Sequence, residues 1–193
     1  VAPTLRRLDQ RSVVQTLAAL TVLAVAAALW TFGMPYAVAR EALLGGEPAV
    51  IRAGTRDRWL FSGGWSELTV SGNVVSRFAT DQTATLVVPL PEARPYKFVL
   101  RLDPLGDSAT LRQKVRVLIN QQTVEVLQLQ WDPERVGQYE VSPPAGVLRR
   151  GMNEITLQSE NMVSIGHTGD AFPEIPRNRD VGVRLWYVLI VPA

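Results

Sequence analysis

The sequence contains no cysteine and a single histidine, His167. The first absence excludes a disulfide framework, a thiolate metal site and a cysteine nucleophile. Charge is missing over a long stretch as well: no acidic or basic side chain lies between Arg11 and Arg40. There is no phosphate-binding Walker loop and no dinucleotide fingerprint after a strand. Internal repeats, low-complexity tracts and interleaved basic and aromatic residues are also lacking. The formal excess of +2 is accounted for by Arg6, Arg7 and Arg11 against Asp9. The rest of the chain is neutral, so no nucleic-acid partner is expected.

What is present begins with that uncharged stretch, 12–39. A helix rises 1.5 Å per residue and the hydrocarbon core is about 30 Å thick, so the stretch is long enough to cross with some tilt. The expected organisation is a cytoplasmic tail at 1–11, a transmembrane helix at 12–39, a connector at 40–56 and an extracytoplasmic domain at 57–193. Trp30, Phe32 and Tyr36 gather at one end of the stretch, where amphipathic rings favour the interface. Ala24 and Ala28 form a small-xxx-small pair of the kind that lets another helix approach closely. The basic tail places the N-terminus in the cytoplasm and the domain outside a bacterial inner membrane. A competing reading is a cleaved signal, for which Ala37-Val38-Ala39 supplies a small-x-small site. The apolar run exceeds the usual 7–15 residues of a signal core, which favours the anchor.

From Trp59 onward the hydrophobic period is two. The pattern predicts strands near 59–62, 67–70, 74–80, 84–89, 96–102, 114–119, 123–129, 137–141, 153–159 and 181–191, separated by Gly, Pro, Asn and Asp. Asn120 with Gln121 and Gln122 marks a compact hairpin. Val115, Val117 and Ile119 share one face of their strand and Lys114, Arg116 and Leu118 the other. Strands with no helix after the anchor indicate a mainly β fold, a two-sheet antiparallel sandwich of jelly-roll type. The last strand is almost continuously apolar and should be central in a sheet, or covered on both faces by a partner.

Several strings carry a likeness to a known family: Gly63-Gly64-Trp65-Ser66-Glu67, Phe78, 84–91, Val115-x-Val117-x-Ile119-Asn120, 148–157 with Gly151 and Asn153, and Asp180-Val181-Gly182-Val183. Over about 59–191 the chain resembles the jelly-roll domain that follows the membrane segments of some bacterial polytopic membrane glycosyltransferases. That domain is similar to galactose-binding-like carbohydrate-binding modules. The resemblance implies the sandwich fold and a glycan-binding habit. It implies no glycosyltransferase activity, because the sequence holds one apolar stretch and no polytopic catalytic part.

No constellation points to catalysis. His167, Asp170 and Glu174 match no metal-ligand spacing, and Ser164 with His167 and Asp170 shares one long segment that lacks a scaffold for a triad. No catalytic residue, metal or cofactor is therefore expected, and an envelope hydrolase is the weakest reading. Aromatic residues are the better candidates, since rings stack on sugars and anchor interfaces. Trp65 and Trp131 are candidate contacts, with His167 beside them, whereas Trp186 is expected to pack in a core or interface. Two functions follow. In the first, the chain is a non-catalytic, single-pass accessory subunit that stabilises an integral-membrane protein complex, such as a photosynthetic reaction-centre or antenna assembly. In the second, it is a membrane-tethered carbohydrate-binding module of the cell envelope, with a glycan as partner.

Overall fold

The structure, a computed structural model, describes residues 10–54, 56–71, 74–105, 113–130, 137–164 and 179–193; the side chains at 10–13, 28–36, 71 and 74 lie outside the description. It divides into two compact units, 1–37 and 38–193.

The first unit is built on helix α1 (Gln10–Leu44), whose last turns belong to the second unit. Alanine and leucine dominate it, and both are strong helix formers. Val14, Leu17, Leu20, Val22, Leu23 and Val25 are exposed, and Thr21 Oγ1 donates back to the Leu17 carbonyl at 2.9 Å. Among the described residues, no helix is long and apolar enough to cross a membrane. The expected crossing at 12–39 is thus not supported by what is described. Within it, uncharged side chains are described without a break only from 14 to 27, roughly 21 Å of helix. Ala24 is exposed on this segment, while the side chains of Ala28, Trp30, Phe32 and Tyr36 lie outside the described residues.

The second unit is mainly β, and all its named strand pairs are antiparallel. Strands β1 (Ala49–Arg52), β3 (Thr69–Ser71), β4 (Val74–Phe78), β6 (Tyr96–Asp103), β9 (Gln138–Val141) and β13 (Arg184–Pro192) make one sheet. Its order is β3-β4-β13-β6-β9, with β1 also paired to β13. A second sheet runs β2-β5-β10-β7-β8, from β2 (Phe61–Gly63), β5 (Thr83–Leu90), β7 (Gln113–Ile119), β8 (Gln122–Leu129) and β10 (Gly151–Ser159). A small ladder joins β11 (Val163–Ser164) to β12 (Asp180–Val181). β13 is central, as its apolar sequence predicts, with β6 on one flank and β4 and β1 on the other.

One core lies between the two large sheets. In β6 the burial alternates strictly, so Tyr96, Phe98, Leu100 and Leu102 enter it. Val115, Val117 and Ile119 of β7, Ile155 and Leu157 of β10 and Leu86, Val88 and Leu90 of β5 meet them. Each such side chain contributes about 1.5–3 kcal/mol on burial. The expected connector is part of this body: Leu43 of α1 and Ala49 and Ile51 of β1 join the same core, as does Ala39 just before them. α1 stops there because Glu47 N–H bonds the Ala42 carbonyl (2.9 Å) and Gly46 N–H the Leu43 carbonyl (3.2 Å), a Schellman closure. Arg94 Nη2 donates to the Leu43 carbonyl at 2.8 Å and satisfies a second acceptor position there.

The turns are fixed by two asparagines. Asn120 (φ 49°) and Gln121 (φ 69°) form the two-residue link between β7 and β8, the type I′ geometry that matches strand twist. Asn153 is fully buried; its Nδ2 donates to the Arg149 and Gly151 carbonyls, and its Oδ1 accepts from Arg149 N–H and Asn120 Nδ2. The Arg-Arg-Gly-Met-Asn string is therefore a turn closed by its own asparagine, with Gly151 at φ 100°. Asn153→Ala removes four part-buried hydrogen bonds, and such losses sum to about 3 kcal/mol. Thermal unfolding should show Tm falling by roughly 6–12 °C for a domain of this size. A change under 1 °C would mean that solvent satisfies the turn instead.

Candidate ligand-binding face

Residues directly opposite in an antiparallel pair share a face of the sheet. On β13, Arg184 lies opposite Asp103 of β6 and Phe78 of β4. Tyr187 lies opposite Arg101 of β6 and Arg52 of β1. Between Leu185 and Tyr187 the register with β6 shifts, so one extra residue, Trp186, enters the strand. Such a bulge re-aims the side chains beside it. Here Leu185 points into the core, and the Trp186 and Tyr187 rings both meet the guanidinium of Arg101 on the sheet's outer side.

A ladder of cations and rings results. Arg184 Cζ lies 5.4 Å from the Phe78 ring centre and 4.3 Å from that of Trp186. Arg101 Cζ lies 4.6 Å from the Trp186 ring and 5.8 Å from Tyr187. Each contact is worth about 0.5–1 kcal/mol at partly exposed sites. Hydrogen bonds lock the rungs: Arg184 Nε donates to Ser76 Oγ (2.8 Å), Trp186 Nε1 to Asp103 Oδ2, and Gln138 Nε2 to Tyr187 Oη (2.9 Å). Phe78 packs with Leu105, Val181 and the partly buried Val163, a small apolar cluster that anchors this end of the ladder. Arg101, Trp186 and Tyr187 are half-buried and Gln138 is exposed, so solvent reaches the other end.

The remaining expected contacts lie elsewhere. Trp65 is half-buried and edge-on to Phe61 (5.4 Å between centres, 86°), and its Nε1 donates to the Thr85 carbonyl at 2.8 Å. Its indole thereby ties the β2 end to β5. Gly64 precedes it because any Cβ there would sit 2.1 Å from the Thr83 carbonyl oxygen. Trp131 and His167 lie outside the described residues. Trp186, expected to pack in a core or interface, meets two arginines, Arg101 and Arg184. The bulge that places it depends on register with β6, which the strand's own sequence does not reveal.

On the second sheet, a cleft of about 250 Å³ is lined by Gln82, Arg116, Gln158, Ser159 and Glu160. Its polar groups face each other: Arg116 Nη1 donates to Gln158 Oε1 at 3.1 Å, and Lys114 Nζ lies 3.9 Å from Glu160. No aromatic lines it. Among the described residues no group of three or more His, Asp and Glu is placed to hold a metal ion.

No protein-family model matches the chain, and no curated protein does. Solved structures of similar form include a family 35 carbohydrate binding module from Clostridium thermocellum, 12% identical, covering 76% of this chain and 99% of that one at TM-score 0.45. Another is the CBM36-1 domain of a multidomain xylanase from the hindgut metagenome of Trinervitermes trinervoides (12%, 76% and 98%, TM-score 0.45). A third is a carbohydrate binding module of Cellvibrio mixtus lichenase 5A in complex with cellotriose (13%, 75% and 97%, TM-score 0.42). At such identity and overlap these likenesses carry no argument about the site.

Asp103 makes the ladder pH-sensitive. Burial pushes its carboxyl above the ordinary 3.8, opposed by the Trp186 hydrogen bond and the charges of Arg184 and Arg101. A pKa raised on folding favours the folded state below the unfolded value, and that contribution is lost as pH rises through the raised one. Asp103→Asn does not titrate. The Tm of the wild type relative to this variant should therefore fall as pH climbs from below 3.8 through the raised pKa. A relative Tm that rises over that window would contradict the burial argument.

Proposed function

We propose that this chain is a non-catalytic β-sandwich module that binds glycan on the outer face of the β13 sheet. One observation carries the reading: two half-exposed rings, Trp186 and Tyr187, are held rigid by guanidiniums, a carboxylate and the Gln138 amide. Sugars present apolar C–H faces edged by hydroxyls. They suit a surface that offers a ring flanked by fixed donors and acceptors, because little side-chain entropy is lost on binding. The cleft on the second sheet supports the reading less, since it has no ring and its polar groups already answer one another.

In this proposal α1 ties the module to the bacterial inner membrane, with the tail inside and the sandwich outside. The support is the uncharged sequence of 12–39, the basic residues before it and the exposed apolar side chains of 14–25. The accessory-subunit reading has one observation in its favour, the Arg, Trp and Tyr content of the same face, which protein interfaces also prefer. Gentle extraction followed by native electrophoresis separates the two, because the subunit reading requires migration with a larger assembly.

The direct test is a glycan array probed with the full chain in detergent, beside Tyr187→Ala and Gln138→Ala. At least one oligosaccharide class should bind, and each variant should weaken it by about tenfold, the loss expected for one ring or hydrogen-bond contact. Unchanged melting temperatures would show that both variants fold. Absence of binding by the wild type, or equal binding by Tyr187→Ala, would remove the reading.

A further inference from the structure

We infer that Glu125 is a guard that stops β8 from pairing, edge to edge, with β8 of a second copy of this chain. The inference is independent of the glycan reading. A strand at the end of a sheet presents a row of unpaired N–H and C=O groups, a template for another strand. Among the described residues the other ends of the two large sheets are short: β2 and β3 span three residues each and β9 spans four. β8 spans eight and, among the described residues, pairs with β7 alone. Its sequence holds no proline or glycine and is rich in strand formers. Segments of that length with little charge and no proline are the ones that stack strand on strand. From Val117 to Trp131, Glu125 is the only charged residue.

Three features of the edge meet at Glu125. Val117 lies opposite Glu125 and Leu118 opposite Thr123, so Val124 is an extra residue, and such a bulge twists an edge away from a flat partner. Opposite residues share a face, and Val117 is buried in the core, so Glu125 stands on the inner side of its sheet. It is nevertheless exposed, because the sheet ends at β8, and a strand added there would cover it. A two-fold antiparallel pair centres on one residue. Centring on Glu125 sets two carboxylates against each other, and centring on Val126 sets Glu125 against Leu127 of the second copy. A carboxylate covered by leucine loses water and gains no partner, which outweighs the return from one cross-strand pair. The third feature is local: Glu125 Oε1 accepts the Val126 N–H at 3.2 Å, so an amide at the midpoint of the edge is already engaged.

The test exploits the absence of cysteine, since Val126→Cys places the chain's sole thiol at that midpoint. Facing Cα atoms of an antiparallel pair lie about 4.5–5.5 Å apart, within reach of a disulfide. Disulfide cross-linking of the full chain in detergent is followed, each rate divided by that of the same thiol with a small aromatic disulfide to remove the carboxylate's effect on thiol reactivity. Glu125→Val with Val126→Cys should cross-link about tenfold or more faster than Val126→Cys alone, the gain expected on removing an unpaired charge from a contact. Glu125→Gln with Val126→Cys, which keeps an acceptor for the amide and loses the charge, should fall between. Sedimentation of Glu125→Val should give twice the protein mass of the wild-type particle at equal concentration. An unchanged melting temperature checks that Glu125→Val folds; if it does not, the Glu125→Gln comparison decides. Equal cross-linking rates in all three backgrounds would overturn the inference. A doubled mass without cross-linking at position 126 would also overturn it, because the contact would then lie elsewhere.

Discussion

A central β-strand normally spends both faces on packing, and β13 departs from that through the register shift between Leu185 and Tyr187. Before the shift Leu185 is in the core, and after it Val188 and Ile190 return there. The inserted residue lets Trp186 and Tyr187 both reach the guanidinium of Arg101 without removing an apolar side chain from the core. The ladder and the raised pKa of Asp103 both depend on this one local choice of register.

The face is rigid because its support is rigid. β13 pairs along most of its length with β6, and β1 holds its other flank from Tyr187 to Ile190. β1 is in turn placed by the Schellman closure of α1 and by Arg94, so the chain from Val38 onward enters the sandwich as one packed body. On the opposite sheet, Asn120 and Asn153 close the turns that set β7, β8 and β10 in register. Side chains that bind by pre-formed geometry need such a base, since each loose rotamer lowers affinity.

Much of this was legible in the residues. Strict alternation at 96–102 and 114–119 identifies inward faces because burial on one side of a sheet imposes a period of two. Asn120 and Gly151 announce their turns because few residues accept positive φ. β1 was hidden: four residues between Pro48 and Gly54 show too little alternation to stand out, and only pairing with β13 makes them a strand. The outer ladder was hidden for a different reason. A bulge is a property of two strands in register, so the run from Arg184 to Val191 reads as uniformly buried. What the Trp65 ring touches was hidden as well, since its hydrogen bond to the Thr85 carbonyl comes from a strand twenty residues away.

The central claim is that ligand meets this protein at the bulge of β13. The most direct measurement is nitrogen-15 NMR of the full chain in micelles, following side-chain N–H signals as an oligosaccharide that binds on the glycan array is added. The account predicts saturable shifts at Trp186 Nε1–H and Arg101 Nε–H, with Trp65 Nε1–H unmoved. Shifts confined to Arg116 and Gln158, in the cleft of the other sheet, would contradict it.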